Sequence, residues 1–98
     1  MKHSISDKKS QESRSALTSA QIRAARSLIR WSAEDLARES SLSVATIRRA
    51  ELADRETSMT AANNFAVRHA FEAAGVEFID ENGGGAGVRL RKPHKQKR

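Results

Sequence analysis

The chain has 98 residues and a formal net charge of +6 at pH 7, and this length predicts one small domain. It contains no cysteine, which excludes disulfides and thiolate-based zinc sites, and no apolar run approaches the roughly 20 residues of a membrane span. The first residues, MKHSISDKKSQESRS, lack the apolar core of a secretory signal, so we expect a cytoplasmic protein.

The positive charge is concentrated at the two ends of the chain. Residues 83–98 contain six basic residues and no acidic one, whereas residues 16–82 contain eight arginines and ten acidic residues. Every lysine lies in an end segment. We therefore expect the middle of the chain to contact a polyanion through one face only, while the ends supply long-range, salt-sensitive attraction.

The first predicted helix follows a polar segment. Residues 1–15 are rich in Ser and Lys and show no hydrophobic periodicity, which predicts disorder. Thr18 and Gln21 have the spacing of a capping box that opens a helix, and this helix runs to about Trp31. Its apolar residues are Ile22, Ala25, Leu28 and Ile29. Trp31, which directly precedes the next cap, is interpreted as a hydrophobic staple or lid.

Two short helices joined by a tight turn are predicted next. Ser32 and Asp35 form a second capping box, and Ser43 caps the helix that follows. Small or branched residues between two such helices are typical of a helix-turn-helix; here they are Leu36, Ala37, Leu42, Ile47 and Ala50. On the outer face of the later helix, Arg48 and Arg49 can reach phosphates or the acceptor edge of guanine.

A fourth helix and a hairpin complete the predicted elements. The apolar stripe of the helix comprises Val67, Ala70, Phe71 and Ala74. Phe65 lies on another side, so this helix has a second apolar surface that either packs on the hairpin or contacts a second copy. Gly75 is a left-handed stop. Strands over 76–79 and 88–91 flank a glycine-rich turn.

These elements divide the chain into four parts: a disordered segment over 1–15, a helix-turn-helix domain over 16–75, a β-hairpin over 76–91 and a solvated basic tail over 92–98. A two-stranded hairpin is marginal when alone in water. Its apolar residues therefore need a covering surface, which makes the hairpin a candidate dimerisation element.

The residues that carry the two-helix pattern are Leu36, Ala37, Leu42, Ile47 and Glu51. In this pattern, over roughly residues 19–75, the chain resembles the Cro-type, or xenobiotic-response-element, family of bacterial and phage regulators. The resemblance implies a mainly α, lambda-repressor-like helix-turn-helix bundle of four to five helices with a C-terminal β-hairpin. It also implies a nucleoid-associated homodimer that binds inverted-repeat operators in double-stranded DNA and acts as a repressor or autoregulator.

The resemblance also implies which residues contact DNA: Ser32, Ala33, Ser43, Val44, Ala45, Thr46, Arg48, Arg49 and Arg55. Those that would face base edges are Val44, Ala45 and Arg49. Thr46 and Arg48 would lie nearer the backbone, and Ser43 would contact a phosphate. Ser32 and Ala33 would bring a helix amino end to another phosphate, where the helix dipole helps. Arg55 would touch the backbone from the following loop.

The chain departs from the family pattern at three places. Ser41 stands where a turn glycine is usual, and serine adopts the left-handed conformation at a cost. Ser40 replaces a core aliphatic residue, leaving either a buried hydroxyl bonded to a helix carbonyl or a thinner core. Val44 and Ala45 replace polar readers and offer only apolar contacts, so direct readout would rest mainly on Arg49, with more readout of DNA shape.

Other kinds of site are disfavoured by the sequence. No nucleophile, base and orienting group have a recognisable spacing, so we expect neither an enzyme nor a cofactor. The histidines His3, His69 and His94 are scattered, which argues against a metal site. Gly83–Gly85 precedes no helix and is interpreted as turn material rather than a phosphate-binding loop. Glu34, Asp35 and Glu39 form an acidic surface, interpreted as matching the dipole at a helix start.

Two other functions remain open. The domain would fit an antitoxin that binds its operator while a flexible end neutralises a toxin, although MKHSISDKKSQESRS is poor in apolar residues for such an end. The protein partner would then be that toxin or another regulator. The chain would also fit a protein–protein adaptor that keeps the helix-turn-helix shape without binding DNA, and the arginine pair argues against this.

Overall fold

The computed structural model describes residues 16–53 and 59–91. The segments 1–15, 54–58 and 92–98, and with them the predicted disordered segment, Arg55 and the basic tail, lie outside the described residues. The described helices are α1 (Ser19–Ile29), α2 (Ala33–Ser40), α3 (Val44–Leu52) and α4 (Ala61–Ala73). The antiparallel strands β1 (Val76–Ile79) and β2 (Gly87–Leu90) follow them. The predicted combination of a mainly helical fold and a C-terminal hairpin is confirmed.

The predicted capping boxes fix where the first two helices begin. The Thr18 hydroxyl accepts a hydrogen bond from the Gln21 amide at 3.0 Å, and the Gln21 side chain accepts one from the Thr18 amide at 3.0 Å. Ser32 and Asp35 exchange the same two bonds, both at 2.9 Å. Each box satisfies backbone donors that a helix start would otherwise leave without partners. Both predictions are confirmed.

The later helices are also capped by hydroxyl side chains. Ser43 accepts a hydrogen bond from the Thr46 amide at 3.1 Å, as predicted. Thr60 caps α4 by accepting a hydrogen bond from the Asn63 amide at 3.1 Å. This cap was not predicted from the sequence. The prediction for α4 rested on its apolar stripe alone. It therefore identified the helix but not the residue at which the helix begins.

Left-handed residues end the first two helices, and a left-handed glycine follows α4. Arg30 has a φ of 58° and Ser41 a φ of 62°. Ser41 therefore adopts the left-handed conformation, although the turn contains no glycine. Gly75 has a φ of +98°, as predicted. Ala74, predicted to lie in the core, is exposed. That prediction is wrong because α4 ends at Ala73, and Ala74 caps it outside the helical stripe.

The core lies where α1, α2, α3 and α4 meet, and one residue of β1 also contributes to it. Its fully buried large side chains are Leu17, Ile22, Leu36, Ile47, Val67, Phe71 and Val76. Trp31 is half-buried and stacks on Phe71 with ring centroids 5.5 Å apart, which confirms the predicted lid. The buried Ser40 hydroxyl donates to the Leu36 carbonyl at 2.7 Å, so the first of the two alternatives for this serine is correct.

The hairpin is covered by helices of its own chain. Val76 is fully buried, and Phe78 meets the core residue Phe71 edge-on at 5.7 Å. Phe78 and Val88 both pack against the core, although Leu90 stays 52% exposed. The hairpin therefore needs no second copy to cover most of its apolar residues, because the helical core accepts them.

Polar side chains also hold the hairpin. The Gln21 side-chain amide donates to the carbonyls of Ile79 at 3.3 Å and Gly87 at 3.0 Å. These two residues are paired across the strands next to the loop. The buried Arg68 guanidinium lies over the Phe78 ring, 5.4 Å from its centroid. In the described part of the chain, no helix is long and apolar enough to cross a membrane.

Candidate nucleic-acid interface

The second and third helices form a packed pair. The turn between them closes when the Leu42 amide donates to the Ala37 carbonyl at 2.9 Å. Leu36 on α2 and Ile47 on α3 are fully buried, and Ala50 is 1% exposed. The small and branched residues predicted to lie between the two helices are therefore buried, apart from Leu42, which is half-buried against the core.

The outer face of α3 presents three of the predicted contact residues to solvent. Ala45, Arg48 and Arg49 are exposed, and Ile47 and Ala50 are buried on the opposite side. This follows from the helical period, which puts residues three apart on one face. The other side chains of α3 lie on the exposed face or in the core according to their position in this helical period.

Val44 and Thr46 lie at the margin of this face. Both are half-buried, and Val44 packs against the hydrophobic core. The hydroxyl of the exposed Ser43 donates to the Thr46 hydroxyl at 2.9 Å while it caps the helix. Ser43 is therefore engaged within the chain, and the hydrogen of the Thr46 hydroxyl is the one left for an outside acceptor.

Arg48 and Arg49 differ in their surroundings. Arg48 donates to the Glu34 carboxylate on α2 at 2.8 Å, and both side chains are 59% exposed. Arg49 makes no hydrogen bond or ion pair with any residue that the structure describes. None of the five donors of its guanidinium therefore has a partner in the described part of the chain.

The amino end of α2 lies at the same surface and carries negative charge. Ser32 is exposed, but the Ala33 side chain is only 6% exposed, so Ala33 can offer its backbone rather than its side chain. The Asp35 carboxylate accepts hydrogen bonds from the Ser32 amide and, at 2.8 Å, from Arg38. These two contacts, the amide first, lower the pKa of Asp35 below its ordinary value.

A second ion pair, which was not predicted from the sequence, joins α3 to α1 on the side away from the exposed face of α3. Arg26 on α1 binds Glu51 on α3 through two hydrogen bonds of 2.7 and 2.9 Å and also donates to the Trp31 carbonyl at 2.8 Å. The contact with Glu51 raises the pKa of Arg26. Arg23 adds a bond of 2.7 Å to the Glu51 carbonyl. The sequence marked Glu51 through the family resemblance, but no local spacing pointed to its partners.

No family model and no curated protein sequence matches this chain. The geometry of α2 and α3 is therefore what bears on function. Within residues 16–53 and 59–91, no group of three His, Cys, Asp or Glu side chains could hold a metal ion. Of the predicted contact residues, those exposed to solvent are Ser32, Ser43, Ala45, Arg48 and Arg49, and Arg55 lies outside the described residues.

Proposed function

We propose that this protein is a homodimeric transcriptional regulator that binds inverted-repeat operators in double-stranded DNA. In this proposal α2 and α3 form a helix-turn-helix within a lambda-repressor-like bundle, and α3 enters the major groove. The observation that carries the proposal is the outer face of α3, where Arg48 and Arg49 are exposed beside the small residue Ala45.

The size and chemistry of α3 fit this role. α3 has nine residues, and an α-helix with its side chains is about 10–12 Å in diameter, which fits the width of about 12 Å of the major groove of DNA. Arg49, which is exposed on this face, can bind the O6 and N7 acceptors of guanine with two hydrogen bonds. Ala45 can make an apolar contact with a thymine methyl, while Arg48 lies nearer the phosphates.

Substitution of each arginine tests these roles. Arg49→Ala should cost about 1–3 kcal/mol of binding free energy on the preferred site and relax the base preference at one position per half-site. Arg48→Ala should weaken binding on all sequences and lower the slope of affinity against salt by about one. Titrations of duplexes by fluorescence anisotropy, after selection of a preferred site, measure both effects.

The two variants are controls for each other because each removes one charge from the same helix. Equal losses on preferred and scrambled duplexes for both variants would contradict the separation of roles. A wild-type protein without salt-dependent binding to duplex DNA would contradict the proposed function and favour the protein–protein adaptor.

A further inference from the structure

The Glu34–Arg48 ion pair crosses the surface that the proposed function places against DNA. Glu34 lies in the first turn of α2, and Arg48 lies on the exposed face of α3. Their contact of 2.8 Å joins the two helices on the solvent side. The Glu34 carboxylate is therefore an anion held by an arginine beside a helix amino end.

A DNA phosphate would be held by the same groups. Phosphates bind arginine guanidinium groups and the exposed amides of helix amino ends. The Glu34 carboxylate already occupies the Arg48 guanidinium, and Arg48 uses one nitrogen for this contact. The pair is mostly exposed, and exposed ion pairs are weak, so another anion can replace this carboxylate.

The neighbouring charges do not perform the same exchange. Asp35 is engaged by the Ser32 amide and by Arg38 on its own helix. Glu39 is exposed on α2, and no ion pair joins it to any described residue. Arg49, the other cation of the α3 face, has no intramolecular anion among the described residues. Of the two arginines on the exposed face of α3, Arg48 is therefore the one with a carboxylate partner among the described residues.

We propose that Glu34 is a positioning residue for Arg48 that competes with DNA: its carboxylate holds the guanidinium in the free protein and yields it to a phosphate in the complex. This inference rests on the proposed function. The exchange lowers affinity for every duplex alike, because a phosphate carries no base identity.

Glu34→Gln tests the competition, with Glu39→Gln as a matched control that removes the same charge from the same helix. Glu34→Gln should tighten binding to preferred and scrambled duplexes by a similar factor, about two- to fivefold, the range that an exposed ion pair can supply. Its salt slope should stay close to that of the wild type, because Arg48 neutralises the same phosphate in both proteins. Glu39→Gln should tighten binding less. Thermal melting of both variants verifies that they are folded.

A double-mutant cycle decides whether Glu34 acts through Arg48. In an Arg48→Ala background, Glu34→Gln should lose most of its effect. A gain that persists there undiminished shows general repulsion of DNA and overturns the inference, as does a Glu34→Gln variant that binds like Glu39→Gln or more weakly than the wild type. These failures leave the proposed function intact if the wild type binds DNA, whereas a wild type that binds no duplex refutes both.

Discussion

Ser41 holds a left-handed conformation, with a φ of 62°, at the end of α2. A Cβ atom in this region crowds the following carbonyl oxygen, which costs roughly 1–2 kcal/mol. The turn needs this conformation because the Leu42 amide must reach back to the Ala37 carbonyl. Both the position of the left-handed residue and the free-energy cost of placing a serine there were predicted from the sequence, because the turn contains no glycine.

Ser41→Gly should therefore raise the free energy of unfolding, by about 0.5–1 kcal/mol after the greater flexibility of glycine in the unfolded chain is subtracted. Urea denaturation measures the change. Ser43→Gly is the matched control, because Ser43 has a φ of −81° and its hydroxyl caps α3, so the same replacement there should lower stability. A loss at Ser41 would show that its conformation carries no strain.

At the level of single residues, local features were predictable and ion pairs across helices were not. The caps at Thr18, Ser32 and Ser43 depend on residues within three positions along the chain, so a short sequence window contains their cause. The contacts of Glu34 with Arg48 and of Glu51 with Arg26 depend on where whole helices lie. For this reason the acidic residue Glu34 was interpreted from its helix dipole rather than from its partner.

Helices α1 and α3 are joined by the Arg26–Glu51 pair, whose side chains are 24% and 11% exposed. A largely buried carboxylate with two hydrogen bonds from one guanidinium holds the rotation of α3 about its axis, and hence the direction of its outer face. Breaking such a pair leaves a charge without its partner in a poorly hydrated place. The Arg26–Glu51 pair therefore stabilises the position of α3, the helix that carries the proposed interface.

Glu51→Gln should lower the free energy of unfolding by about 1–3 kcal/mol, less than for a fully buried pair because Arg26 is partly exposed. Chemical denaturation at neutral pH measures it. Glu39→Gln, which changes an exposed acid without a described ion pair, should shift stability much less. Equal effects of the two substitutions would show that the pair adds nothing beyond one surface charge.

The elements themselves were largely predictable because each has its own hydrophobic period and turn residues. Four helices and a hairpin appear close to where the sequence placed them, although α1 ends at Ile29 rather than at about Trp31, and β2 runs over Gly87–Leu90, one residue earlier than predicted. The packing of the hairpin was not predictable. The apolar residues of the hairpin were expected to need a covering surface, which made it a candidate dimerisation element, yet Phe71 on α4 contacts both Trp31 and Phe78.

At the scale of the molecule, the large apolar side chains exposed among the described residues are Leu28, Leu52, Phe65 and Leu90, and Phe65 is the one on α4. Phe65 is 66% exposed and stacks on His69 with centroids 5.9 Å apart; of the two alternatives for Phe65, packing on the hairpin is therefore wrong. Ala61 and Ala62 are exposed on the same helix. An exposed aromatic ring beside small residues suits a two-fold contact, in which the same patch meets itself.

Phe65→Glu should accordingly turn the proposed dimer into a monomer, because the contact would bury a carboxylate without a partner. Sedimentation velocity over a range of concentrations measures the association. Leu28→Glu is the control, since Leu28 is an exposed apolar residue of α1 and should leave the dimer unchanged. A Phe65→Glu protein that remains dimeric would place the interface elsewhere, such as on the partly exposed Leu90 or the strand edge.

The Gln21 amide that binds the carbonyls of Ile79 and Gly87 has a consequence for changing the length of the chain. Because this side chain closes the base of the loop over 80–86, the strands are held together independently of the loop itself. A Cβ atom at Gly84 or Gly85 would meet no other atom within 4 Å, and the entropy of closing a loop grows only slowly with its length. The loop is thus the natural place to insert a peptide tag or a label, on a segment that leaves α2 and α3 untouched.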